Sequence, residues 1–176
     1  MELISLVPHR KADWPSIRRH CCQFMLRYAG QRTWTKEIRV LEQLKYEELQ
    51  EPGTSLLGVT VRGEEGLTVV GVLFTARCGE QAVLLAVHPL YRRRRLGTAL
   101  LQAQQKLHGR ITCQVPLLHA AALRLCFQAG MTAIGMTRDA ETSRSCLLFR
   151  WPEVPLAPGK EPQSTQVGDW LCLSPS

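Results

Sequence analysis

Apolar positions recur along the chain with two different periods. Trp14, Ile17, Cys21, Phe24 and Tyr28 are spaced three and four apart, which places them on one face of a helix. Asp13 stands where a cap belongs, Pro15 suits the first turn and Gly30 the end. A second helix is predicted from near Thr35, with Ile38, Leu41 and Leu44 on one face and Pro52–Gly53 as its stop. Before both, ELISLV at 2–7 suits an edge strand.

From residue 55 the runs shorten and become β-branched. SLLGVTVR (55–62), LTVVGVLFTAR (67–77) and QAVLLAV (81–87) are separated by the turns Gly63-Glu64-Glu65-Gly66 and Cys78-Gly79-Glu80, which predicts an antiparallel meander. A helix with Leu96, Leu100, Ala103 and Leu107 in register follows. Then come a strand at 111–115, an Ala-rich helix at 119–129 closed by Gly130, and strands at 131–136 and 145–151. This order predicts a mixed α/β fold, α+β-like, with a central sheet of about seven strands and four flanking helices. Its strand–helix–strand crossover suits parallel pairing. No internal repeat interrupts it.

Composition narrows the class. At 176 residues, 45% hydrophobic and 21% charged, the chain fits one folded domain with a tail. Five of the ten prolines follow Trp151, so the domain is placed at 1–151 and a Pro-rich tail at 152–176. The tail's apolar end, Trp170 to Leu173, can fray or dock. No run approaches the ~20 apolar residues of a membrane span. The N-terminus, with Glu2 and only a short apolar run, does not read as a signal peptide. Seven cysteines, an odd number without a CxxC pair, and scattered histidines predict neither a disulfide framework nor a metal site. A reducing cytoplasm is the expected location. The formal charge is +7; the tail carries −2, so the body carries +9. Such an excess points to an anionic partner, whether nucleic acid, membrane surface or phosphorylated cofactor.

One segment separates these partners. A strand ends at Val87, four arginines (Arg92 to Arg95) follow, and a helix begins with Gly97 in its first turn. Free backbone N–H groups and the helix dipole make that N-terminus an anion site. Gly97 has no Cβ and permits close approach of a phosphate, and several arginines suit a ligand with several phosphates. The competing reading is a solvated basic face before an amphipathic helix. No aromatic-rich RNA-binding signature or zinc finger is present, which argues against nucleic acid.

Arg94-x-x-Gly97-x-Ala99 resembles the pyrophosphate-binding pattern of the GNAT superfamily of N-acetyltransferases, as do the Val-x-Pro lead-in at Val87, Tyr91 and the leucines that follow. Ala122-x-x-Leu125-Cys126-x-x-x-Gly130-Met131 is similar to the family's second motif, and the element order agrees to about Trp151. The resemblance implies two central strands splayed apart, with acetyl-CoA as co-substrate in the cleft and no metal. It implies that the strand containing Leu85, Ala86 and Val87 bonds the pantetheine. Arg92, Arg94, Arg95, Leu96, Gly97, Thr98 and Ala99 would hold the pyrophosphate. An amide near Leu85 or Ala86 would polarise the thioester carbonyl, and a primary amine, on a small molecule or a peptide, would attack it directly. Members often dimerise, so a homodimer is open.

The chain also departs from the family pattern. A tyrosine that protonates the leaving thiolate in many members is here Cys126, either a proton donor or a small buried hydrophobe. An asparagine at the start of that helix is here His119, either a ligand contact or base, or simply a cap. No carboxylate lies within QAVLL at 81–85; Glu80 precedes it, and His88 sits in the loop. Deprotonating a lysine amine at pH 7 costs about 4.6 kcal/mol, an α-amine only about 1.1 kcal/mol. A weakly basic acceptor, or an ordered water, is therefore expected, and a non-catalytic CoA sensor is the alternative. The two N-terminal helices and the 137–145 loop are expected to set acceptor specificity; Trp14, Phe24, Tyr28 and Trp34 line a pocket or belong to the core. Gly97→Trp is expected to abolish CoA binding in a folded protein, and Arg92→Ala to do little.

Overall fold

A computed structural model describes residues 1–29, 35–63, 66–139 and 142–151. Gly30, Trp34, the two turn glutamates, the proposed boundary at Pro152 and the whole tail lie outside them. The elements are β1 (Glu2–Ser5), α1 (Trp14–Tyr28), α2 (Thr35–Gln43), β2 (Ser55–Gly63), β3 (Gly66–Ala76), β4 (Ala82–Val87), α3 (Leu96–His108), β5 (Thr112–Pro116), α4 (Ala120–Gln128), β6 (Thr132–Arg138) and β7 (Ser145–Arg150). Short 3-10 turns occupy Lys11–Asp13, Glu47–Gln50, Arg77–Gly79 and Pro89–Tyr91.

The strands form two antiparallel sheets, in the orders β1-β2-β3-β4 and β5-β7-β6. The expected parting of two central strands falls between β4 and β5, and the expected parallel pairing is corrected: the crossover through α3 does not end in a parallel β4–β5 pair. The two strands are close where they begin. Gly79, in the turn before β4, packs so tightly on Thr112, the first residue of β5, that a Cβ there would strike the Thr112 carbonyl oxygen. The strands meet at that point and make no ladder beyond it.

The first sheet is covered on both faces, which explains its nearly continuous apolar runs. Leu56, Val72, Phe74, Leu84 and Ala86 pack with Trp14, Met25 and Leu41 of α1 and α2. Their neighbours Leu57, Val59, Val70 and Leu73 point to the opposite face and join Leu100, Ile111 and Phe149. α3 is fixed between the sheets by polar contacts. Ser55 Oγ donates to the buried Gln104 Oε1, and Gln105 Nε2 donates to the Ala129 carbonyl at 3.2 Å.

Two helix boundaries differ from the sequence reading. Asp13 makes no side-chain cap; the preceding 3-10 turn already holds it at φ −83° and ψ −17°. α2 stops at Gln43, well before Pro52. Past it the Leu44 carbonyl accepts from Trp14 Nε1 (3.0 Å) and from an Arg18 guanidinium nitrogen (2.9 Å), and Lys45 N–H donates to Glu48 Oε2 at 2.6 Å. Side chains satisfy the backbone groups that another helical turn would have used.

Candidate functional site

The space between β4 and β5 is a cleft of about 630 Å³. Ala82, Val83, Leu85, Ala86 and Val87 of β4 form one wall; Thr112, Cys113, Gln114 and Val115 of β5 form the other. Each strand lies at the edge of its sheet, and an edge strand presents unpaired N–H and C=O groups. The walls are thus backbone hydrogen-bonding surfaces with short apolar side chains. α4 closes the cleft with Ala121, Ala122 and Leu125. Charged groups gather elsewhere along it: Lys36, Glu37, Glu80, Arg138 and Asp139.

The α3 N-terminus adjoins this cleft. Ala99 N–H closes the first helical turn on the Arg95 carbonyl at 2.9 Å. The amides of Leu96, Gly97 and Thr98 precede that bond, and no side chain caps them, so they point out of the helix as donors. Arg93 (φ 61°) and Arg95 (φ 59°) both hold the left-handed backbone conformation, which costs a non-glycine residue about 1–2 kcal/mol each. A Cβ on Gly97 would sit 3.1 Å from Leu125 Cδ1 and 3.4 Å from Leu85 Cδ2, both cleft residues. Gly97 therefore also serves the packing of α3 on α4 and β4. Gly97→Trp would press on both leucines, so that variant bears on packing as well as on ligand binding.

The four arginines divide. Arg92 lines the cleft, but its guanidinium donates to the Val87 carbonyl (3.1 Å) and the Tyr28 carbonyl (3.0 Å). It ties the end of α1 to the end of β4. Arg94 stacks on the Tyr91 ring at 5.3 Å. Arg93 and Arg95 are exposed. His88 is held in an aromatic row between Tyr28 (4.8 Å) and Tyr91 (5.9 Å), and its Nδ1 accepts the Leu90 N–H.

Of the residues predicted for the site, Leu85, Ala86, Val87, Arg92, His119 and Cys126 line the cleft together; Arg94, Arg95, Leu96, Gly97, Thr98 and Ala99 lie outside its lining, at the adjoining helix end. His119 precedes α4 without a side-chain cap bond. Cys126 is buried in the last turn of α4, where Gly130 (φ +82°) and the Met131 N–H bond to the Cys126 carbonyl at 3.0 Å form the closing turn. Its Sγ lies 3.8 Å from Cys113 Sγ. The two thiols share a hydrogen bond, which lowers the Cys126 pKa against the opposing effect of burial. The same hydrogen bond, with burial, pushes Cys113 well up.

Cys113 was missed by sequence reasoning because it stands thirteen positions from its partner, in a different element. Tyr28 lines the cleft, whereas Trp14 and Phe24 belong to the core. The 137–145 loop is shorter than expected, since Thr137 and Arg138 belong to β6 and Ser145 to β7. Its Arg138 and Asp139 reach the cleft, as does Glu80.

No family model and no curated protein matches the chain. Solved structures do. The yncA protein of Salmonella typhimurium, determined with its cofactor acetyl-CoA, superposes with a TM-score of 0.58 at 18% identity, covering 89% of this chain and 95% of its own. An acetyltransferase of the GNAT family from Streptococcus pneumoniae gives 0.57 at 17%, covering 85% and 98%. The ribosomal-protein-S18-alanine N-acetyltransferase of Escherichia coli gives 0.56 at 18%, covering 91% and 98%. These likenesses cover most of the chain, and it has the fold of the GNAT acetyltransferases.

Proposed function

We propose that the protein is an N-acetyltransferase that binds acetyl-CoA between β4 and β5 and delivers its acetyl group to a primary amine by direct attack. The observation that carries this reading is the cleft itself. Two unpaired strand edges face each other beside an uncapped helix N-terminus that follows four arginines. That combination suits a long ligand with an amide-bearing arm and a pyrophosphate. Leu85, Ala86 and Val87 offer backbone partners to the arm, and the amides of Leu96, Gly97 and Thr98 offer donors to the phosphates. Exposed Arg94 and Arg95 add positive charge there. When bound, acetyl-CoA supplies the activated acyl group.

The chain's own residues provide the rest. The β4 edge orients the acyl carbonyl and presents N–H groups to a developing oxyanion. Glu37, Glu80, Asp139 and His119 line the cleft and are the groups available to take a proton from the amine, directly or through water. They answer the absence of a carboxylate on β4. Cys126 can return a proton to the departing thiolate. The mixed charge around Lys36, Glu37, Arg138 and Asp139 fits an acceptor that carries both a cationic amine and polar groups, as a peptide N-terminus does.

Thermal shift with acetyl-CoA and CoA tests the reading. Ligand at 100 times its dissociation constant should add about 2.7 kcal/mol of stability. No shift with either compound overturns it. Thiol release with a panel of amines then separates transfer from sensing: binding without release favours the non-catalytic sensor, to which the missing tyrosine at Cys126 already points.

A further inference from the structure

We propose that Cys113 and Cys126 form a peroxide-sensitive dithiol, which closes to a reversible disulfide across the wall of the cleft. The two Sγ atoms are 3.8 Å apart on separate elements, β5 and α4. A disulfide needs about 2.05 Å, so closure requires an approach of about 1.8 Å. Both side chains line the cleft, which gives a molecule as small as hydrogen peroxide a route to otherwise buried sulfur. The adjacent pair in α1 does not line the cleft, and burial pushes Cys21 up to about 12 and Cys22 up to about 11.

Hydrogen peroxide is the oxidant, and the chemistry balances. The Cys126 thiol, whose ionisation the hydrogen bond with Cys113 favours, attacks one peroxide oxygen as thiolate. The O–O bond breaks, and the departing hydroxide takes up the proton lost from Cys126 to become water. Cys126 is left as a sulfenic acid. Cys113 sulfur then attacks Cys126 sulfur, the S–S bond forms, the S–O bond breaks, and a second water leaves with the Cys113 proton. Two thiols lose two electrons and the peroxide gains them. A thiol reductant reverses the bond by exchange.

Closure draws the end of α4 onto β5. Ala122 and Leu125 on α4 line the cleft, so the bond narrows it. The effect on acetyl-CoA rests on the function proposed above; the bond itself does not.

The test treats the reduced full chain with a small excess of hydrogen peroxide, alkylates the remaining thiols and maps peptides by mass spectrometry. The expected product is a Cys113–Cys126 linked pair about 2 Da lighter than the two thiols, absent after treatment with dithiothreitol and in Cys113→Ala and Cys126→Ala. A sulfinic acid on Cys126 with Cys113 still free, or a link only between other cysteines, overturns the proposal. Thermal shift of oxidised and reduced protein with acetyl-CoA reads the consequence. Loss of the shift on oxidation supports the narrowing, and an unchanged shift overturns it. If the reduced protein shows no shift while the link forms, it is the acetyltransferase reading that fails and the disulfide that stands.

Discussion

At Gly79 one methyl group would collide with backbone where β4 and β5 begin. The residue sits at φ +89° with the Thr112 carbonyl against its Cα. Gly79→Ala adds left-handed strain of about 1–2 kcal/mol and an overpacking cost of about 1–3 kcal/mol. The variant is expected to lose at least about 2 kcal/mol, read as a lower urea midpoint at unchanged slope. Arg92→Ala is expected to cost about 1 kcal/mol by removing the two bonds that join Tyr28 to Val87. Arg92→Lys should not restore both, because an ammonium lacks the fork. A variant as stable as the parent in the same urea titration would show that Arg92 does not bridge these elements. At this scale the sequence was legible where chemistry is local. The Arg94-x-x-Gly97-x-Ala99 spacing is read directly, since one helical turn fixes where its amides point. The partners of Arg92, the Leu125 contact of Gly97 and the Cys113–Cys126 pair depend on tertiary closeness, which no spacing records.

Among the elements, α3 does the most positioning, and its C-terminal end carries a titratable weak point. His108 is half buried, its Nε2 has no hydrogen-bond partner among the described residues, and burial lowers its pKa below the usual value. The unfolded chain takes up the proton first on acidification. The stability of neutral His108 is therefore complete above about pH 6.5 and declines as the pH falls towards the folded-state value. The melting temperature should drop between pH 7.5 and 5.5, and His108→Asn should flatten that drop; an equal drop in both proteins would remove His108 from the acid response. The α1–α2 junction offers a second test. Trp14→Phe keeps the ring in the core but loses the bond to the Leu44 carbonyl, at a cost of about 1 kcal/mol in urea unfolding. Helix α1 and every strand of the meander were legible from period and turn chemistry. The end of α2 was not, because the Leu44 carbonyl just past it is satisfied by both Trp14 and Arg18, and side-chain bonds from another helix leave no mark in the local pattern.

In the whole molecule, a four-stranded sheet buried on both faces meets a smaller sheet at one point and parts from it. Alternation predicts which sheet residues go inward only when one face is wet. Here neither is, so alternation does not say where the sheet divides; the parting of two central strands was expected only from the resemblance carried by the motifs. The body's formal charge of +9 bears on a competing partner. Binding through several duplex phosphates would weaken about 10³–10⁵-fold between 50 and 200 mM salt. Duplex DNA is expected to leave the melting temperature unchanged at both concentrations, and a shift present only at low salt would reinstate nucleic acid. The parted strands also have a consequence for turnover. Backbone without a partner is the first to open to solvent and proteases, and here it coincides with the ligand's own seat. A bound ligand withdraws that opening in proportion to its occupancy. On the acetyltransferase reading, hydrogen exchange at 83–87 and 112–116 slows when acetyl-CoA binds, and the lifetime of the protein in a cell follows the supply of its acetyl donor.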